Sequence, residues 1–141
     1  MSPPPIVLRP IGTVASALVD PDEAPLQGDE GAPEAWLVLD EGFLAGLEGI
    51  EPGDDLVVLT WLHLASREVL QVHPRGDEAN PLRGVFSTRS PDRPNPIGLH
   101  PVEVLEVQAS RLRVAGLEAV DGTPVLDLKP ARPGRFRPAA R

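Results

Sequence analysis

Between Pro74 and Pro101 the chain carries six prolines, three glycines, four arginines and two asparagines, so no regular helix or strand can run through most of that stretch. Each proline fixes φ and removes a backbone donor, which leaves a long connection whose conformation is set residue by residue. Connections beyond about 12 to 15 residues are uncommon in compact domains unless they have a task of their own. Prolines make up 18 of the 141 residues, against a usual share of about 5%, and a mainly helical protein is not expected on that ground.

Short apolar runs flank the connection. Residues Ile6 to Val14 read as a first strand, with Pro10 on an edge or bulge. Residues 15 to 33 read as an irregular acidic loop and residues 35 to 39 as a strand. Asp40 then caps a short helix bearing Phe43, Leu44 and Leu47 on one face, ended by Gly49 and Pro52. Residues 55 to 65 and 67 to 73 predict two core strands, the second with Val69 and Leu70 inward. GVFST, from Gly84 to Thr88, is a possible strand inside the connection. Beyond it, VEVLEV and RLRVAGL form a hairpin around Gln108 to Ser110, and the Asp121–Pro124 turn leads into VLDL. About seven short strands, one short helix and no alternating strand–helix units predict a mainly β fold, a compact antiparallel β-barrel. Its expected extent is residues 1 to 130, followed by a basic tail from 131 to 141.

Charge is unevenly divided. The chain has a net charge of −8, yet residues 1 to 66 hold twelve acids and one arginine, whereas residues 67 to 141 hold twelve basic groups and nine acids. Only Lys129 among the thirteen basic residues is lysine, a bias that suits two-point recognition of carboxylate or phosphate and equally suits a genome rich in arginine codons. No run approaches the about 18 apolar residues of a membrane helix, there is no signal-peptide pattern, and there is no cysteine, so a soluble cytoplasmic protein without disulfides is expected. His63, His73 and His100 lack ligand spacing, and no metal is expected.

The connection places Arg83, Arg89 and Arg93 among Ser87, Thr88, Ser90 and Asn95, with prolines on both sides of Arg93. Rigid turns can converge N–H groups into an anion nest beside a guanidinium, which points to a small anionic or zwitterionic ligand; closing the barrel is the other reading of the same loop. No Gly-rich strand-to-helix turn is present, so a nucleotide-type cofactor would need a non-Rossmann site. Trp36 and Trp61, lying in strand patterns, read as core residues rather than base-stacking ones.

The blocks RPIGTV, HPRGDEANPLRGVFSTRSPDRPNPIGL and DGTPVLDLKP, in this order and spacing over roughly residues 5 to 130, resemble the TsaA-like family, which includes TrmO tRNA methyltransferases and VirR. The resemblance implies a β-barrel homodimer that binds S-adenosylmethionine and methylates N6 of threonylcarbamoyladenosine at position 37 of certain tRNAs. It implies cofactor contacts at Arg89, Ser90, Arg93 and Asn95, at Asp121, Gly122, Thr123 and Pro124, and at Pro25, Leu26, Gln27, His63 and Leu64.

Methyl transfer of this kind is a direct displacement in which the protein chiefly aligns reactants, and a modest base must receive the nitrogen's proton. Asp127 and His63 are the candidates, against an outward-facing Asp127 and a hydrogen-bonded core His63. His100 stands where the resemblance leads one to expect a small hydroxyl, and Ala131 where it leads one to expect an aromatic. A tRNA partner needs a local basic face, which Arg132, Arg135, Arg137 and Arg141 could supply. The rival expectations are methylation of another nucleobase or small molecule, and a module that binds S-adenosylmethionine without turnover.

Overall fold

Leu56, Val58 and Thr60 are buried while Val57, Leu59 and Trp61 between them are only half-buried, the period-two pattern of a strand with one face in a core. The same alternation recurs in most of the other barrel strands. The computed structural model describes residues 3–20 and 32–132. Within them lie eight strands: β1 (Gly12–Ala15), β2 (Ala35–Leu39), β3 (Asp55–Trp61), β4 (Gln71–Val72), β5 (Arg83–Gly84), β6 (Ile97–Gln108), β7 (Arg111–Ala115) and β8 (Pro124–Pro130). Six of them close an antiparallel barrel in the order β1-β2-β7-β6-β3-β8, with β8 returning to β1, and β4 and β5 form a separate small ladder. This is the expected mainly β, non-Rossmann architecture. Its core gathers Val14, Leu37, Val58, Val104, Leu112, Val114, Leu117 and Val125.

Four local expectations are corrected. The first strand starts only at Gly12, because Pro10 has no N–H to give and β8 contributes no strand register before Gly12↔Val125; Ile6 and Val7 are exposed instead. The run expected to continue to residue 65 stops at Trp61, where the Leu62 N–H turns to the Pro96 carbonyl at 2.7 Å. Residues 67 to 73 form only the two-residue β4, with Leu70 exposed: alternation alone cannot hold a strand against a two-residue partner. GVFST is β5's Gly84 followed by a 3-10 turn, Val85–Ser87.

The short helix is present as the 3-10 segment Glu41–Leu47; Leu47 is buried, Leu44 is exposed, and Asp40 caps it through its carbonyl rather than its side chain. Gly12 is demanded by closeness: a Cβ there would lie 2.3 Å from the Val38 carbonyl oxygen and 2.7 Å from the Leu39 Cα. The hairpin turns at Ala109 (φ 54), as expected around Gln108 to Ser110. β6 starts at Ile97, before Pro101; β7 pairs only from Glu103 onward, so at Pro101 the strand has one neighbour and room for a proline.

Strand directions carry the functional consequence. The ends of β1, β3 and β7 and the starts of β2, β6 and β8 share one rim of the barrel, so the connections 16–34, 62–96 and 116–123 all leave from it. The 3-10 segment and the β6–β7 turn belong to the opposite rim.

Candidate functional site

The long connection is zipped at its base. Arg67 donates from Nε to the Pro94 carbonyl at 2.7 Å and from Nη2 to Asn95 Oδ1 at 3.1 Å, and its guanidinium lies 5.2 Å from the Trp61 ring centre. One step further in, the Ser66 N–H donates to Asp92 Oδ1 at 2.8 Å and the Arg93 N–H to the Ser66 carbonyl at 3.0 Å. Short-range side-chain turns then fold the tip: Ser90 N–H to Thr88 Oγ1 at 3.1 Å, and Asp92 N–H to Ser90 Oγ at 3.3 Å. These are the turn chemistries of hydroxyl side chains bonding the backbone two residues on.

The two arginines singled out in the loop have different fates. Arg93 points into the loop, donating from Nη2 to the carbonyls of Val85 and of Thr88, the latter at 2.8 Å; its Nε is buried with no partner among the described residues. Arg89 is exposed and no hydrogen bond or ion pair engages it among the described residues. Asn95 is spent on Arg67, and the Ser90 hydroxyl on Asp92.

The second predicted block is stitched to the end of β1. Asp121 receives the Ser16 N–H at Oδ1 (3.0 Å) and gives its own N–H to Leu18 (2.6 Å); the Gly122 N–H reaches the Val14 carbonyl at 2.7 Å. Gly122 has φ +83, a left-handed conformation that glycine adopts freely. Thr123 is buried, its hydroxyl donating to the Val120 carbonyl at 2.7 Å, and Pro124 opens β8.

His63 and Leu64 follow β3 directly and are exposed, which removes the core reading of His63. Asp127 pairs with Leu59, and Leu59 with Leu99, so these three side chains share the outward pleat, next to the Trp61–Ile97 pair on the same face. Leu59, Trp61, Ile97 and Leu99 thus make an apolar shelf running up to the rim where the loops gather, with Asp127 at its margin. Asp127 is half-exposed, its Oδ2 3.3 Å from Lys129 Nζ, and it also borders a cavity of about 330 Å³ at the opposite rim, with Ile11, Phe43 and Leu47. All the described loop residues expected at the site belong to connections that leave the same rim, whereas Asp127 lies partway down the wall. Pro25, Leu26 and Gln27 fall outside the described residues, as do Arg135, Arg137 and Arg141; the loop holding the first three joins strands that end at that same rim.

Sequence reasoning missed Arg67, Asp92 and the shelf. The apolar odd positions of β3 and β6 were visible, but which face they took depended on register. Trp36 and Trp61 are not core: both occupy outward positions and lie under guanidinium groups, Trp36 beneath Arg111 at 4.6 Å and Trp61 beneath Arg67. Arg113 is held by Glu106 and Glu34, whose hydrogen bonds raise its pKa above the usual value, so its charge is already matched. Among the described residues no group of three or more His, Asp or Glu side chains is arranged to hold a metal, and no helix is long and apolar enough to cross a membrane.

The chain is thus a closed antiparallel β-barrel built without a β-α-β unit, with its long connections on one rim and an apolar shelf of Leu59, Trp61, Ile97 and Leu99 on its outer wall. The sequence profile of the tRNA-methyltransferase O N-terminal domain matches residues 13–134, and the chain belongs to that family. It is 47% identical over 130 residues to a probable S-adenosyl-L-methionine-binding protein of Methanothermobacter thermautotrophicus, covering 92% of this chain and 93% of that one. An S-adenosyl-L-methionine-binding protein of Archaeoglobus fulgidus is 44% identical over 128 residues, 91% of each chain. Crystal structures of TrmO share the fold: one aligns with TM-score 0.75 at 31% identity over all of this chain and 62% of its own length, and TrmO from Pseudomonas aeruginosa with TM-score 0.73 at 30% identity over 97% and 60%. The chain thus has the TrmO methyltransferase fold and spans about three fifths of the TrmO structures it matches.

Proposed function

We propose that this protein is an S-adenosylmethionine-dependent tRNA methyltransferase acting on N6 of threonylcarbamoyladenosine at position 37, working as a cytoplasmic homodimer. The observation that carries the cofactor reading is an unengaged guanidinium, Arg89, on a connection from the same rim as the apolar shelf of half-buried Trp61 and exposed Ile97 and Leu99. That donor set fits the ligand: a carboxylate for the guanidinium, an apolar surface for the adenine, and Asp121, on a connection from the same rim, to favour a cationic centre. When bound, the cofactor supplies a methyl group on a positively charged sulfur.

The remaining work belongs to the chain. Arg89 grips the ligand carboxylate, while Arg93, Ser90 and Asn95 hold the loop that presents it. Asp121, Gly122, Thr123 and Pro124 form the facing wall, with His63 and Leu64 beside it; Pro25, Leu26 and Gln27 are further cofactor contacts on the family resemblance alone. Asp127 or His63 accepts the proton that leaves the acceptor nitrogen, directly or through water. Exposed Leu64, Phe86, Ile97 and Leu99 favour a second copy of the chain beside the site.

A second reading keeps the barrel and the cofactor but changes the acceptor or dispenses with turnover. It is favoured by the net charge of −8, which works against a polyanionic partner. Titration calorimetry with S-adenosylmethionine and its demethylated product tests the cofactor. Transfer of labelled methyl to total tRNA from a strain lacking this activity then separates the readings: incorporation at the modified adenosine is expected, and tight binding without incorporation favours the second.

A further inference from the structure

Inside the barrel, just below the rim, His100 is 3% exposed and fully engaged: its Nε2 lies 2.7 Å from Thr60 Oγ1 and its Nδ1 2.5 Å from Glu118 Oε1. A carboxylate only accepts, so Nδ1–H donates to Glu118 and the Thr60 hydroxyl meets the other ring nitrogen. The cluster joins three separate segments. Thr60 is the penultimate residue of β3, where the 62–96 connection departs, and it pairs in register with Gly98, just after that connection returns. Glu118 belongs to the 116–123 connection, which carries Asp121 to Thr123.

The fold makes room for this contact at a cost. A Cβ on Gly98 would lie 2.4 Å from Thr60 Oγ1 and 2.5 Å from His100 Nε2, so only glycine allows the imidazole to sit there. Glu118 Oε2 is buried with no hydrogen-bond partner among the described residues. A half-satisfied buried network is a poor way to gain stability, since an apolar filling of the same volume does better.

We propose that His100 and Glu118 are positioning residues that set the spacing between the two walls of the cofactor site, the 62–96 and 116–123 connections, and thereby its affinity. This rests on the cofactor reading above. Asp121 and Gly122 tie the second wall to the end of β1; beside the core packing of Leu117 and Ala119, the Glu118–His100 contact is its side-chain hydrogen bond to β6, on the side of the first wall. Without it the 116–123 connection keeps its fold but loses its reference to the loop bearing Arg89.

Calorimetric titration with S-adenosylmethionine and with its demethylated product, at a temperature where circular dichroism shows every variant folded, tests this on the full chain. His100→Ser and Glu118→Ala are expected to weaken binding about tenfold, and Glu118→Gln, which keeps an acceptor for Nδ1–H, to stay within about threefold of the native protein. Val104→Ala removes buried volume from the same strand and should lower the melting temperature without moving affinity by more than about twofold. Native affinity in His100→Ser and Glu118→Ala, or a loss that tracks melting temperature equally in Val104→Ala, overturns the proposal. If the native protein binds neither compound, the cofactor reading fails, and amide exchange decides the tie alone. Faster exchange over 117–122 in His100→Ser but not in Val104→Ala upholds it, and unchanged exchange sinks it.

Discussion

Arg67 and Pro94, 27 residues apart, are joined by an Nε–H donating to a carbonyl at 2.7 Å, and this contact closes the base of the longest connection in the barrel. The same guanidinium reaches Asn95 and covers Trp61. Arg67→Ala should therefore open the loop without unfolding the barrel. Limited proteolysis is the measurement: cleavage within residues 68–95 is expected to speed up several-fold while the thermal transition moves only slightly. Equal cleavage rates would show that Ser66 and Asp92 hold the base unaided.

Arg93 and Arg89 lie four positions apart and should respond oppositely. Arg93→Ala takes a charged donor from the carbonyls of Thr88 and of Val85, the latter keeping the Thr88 N–H and hydroxyl, and a loss of about 1.5 to 3 kcal/mol in urea unfolding is expected. Arg89→Ala should leave unfolding unchanged and weaken S-adenosylmethionine binding by tenfold or more. Native cofactor affinity in Arg89→Ala would remove that residue from the site.

Gly12→Ala forces a methyl group against the Val38 carbonyl and the Leu39 backbone, neither of which can swing away as a side-chain end can. The β1–β2 register must shift, and destabilisation of about 1 to 3 kcal/mol is expected from chemical denaturation. A neutral substitution would mean that β1 can lie farther from β2 than 2.3 Å implies.

Removing residues 133–141 deletes Arg135, Arg137 and Arg141 but keeps the Ala131 N–H on the Asp55 carbonyl at 3.0 Å. If the tail contacts tRNA, affinity should fall and the salt slope should shrink by up to about 2, with cofactor binding untouched. Filter binding of tRNA across a salt series reads both quantities, and identical slopes would exclude the contact.

The positions of β2, β7 and the β6–β7 hairpin were legible because their alternation is strict and their turns carry strong local cues. The first strand was overextended because Ile6, Val7 and Leu8 are apolar without being inward: hydropathy reports what a residue prefers, not whether a partner strand reaches it. Arg67, Asp92, Glu118 and His100 carry no local signal for their roles, since each acts on a partner 18 to 28 residues away.

By itself the sequence determined that the chain is a small β protein without a dinucleotide fold, that arginine and hydroxyl side chains concentrate on one proline-stiffened loop, and which family its motifs resemble. The first two follow from backbone restrictions and residue types, which are local, and the third from the resemblance of its motif blocks. Only the tertiary structure decided that Arg93 supports the loop while Arg89 is left unengaged, that Trp61 and Leu99 face outward as a shelf, and that His100 ties two connections together. Those outcomes depend on strand register, and shifting a strand by one residue turns every side chain to the other face.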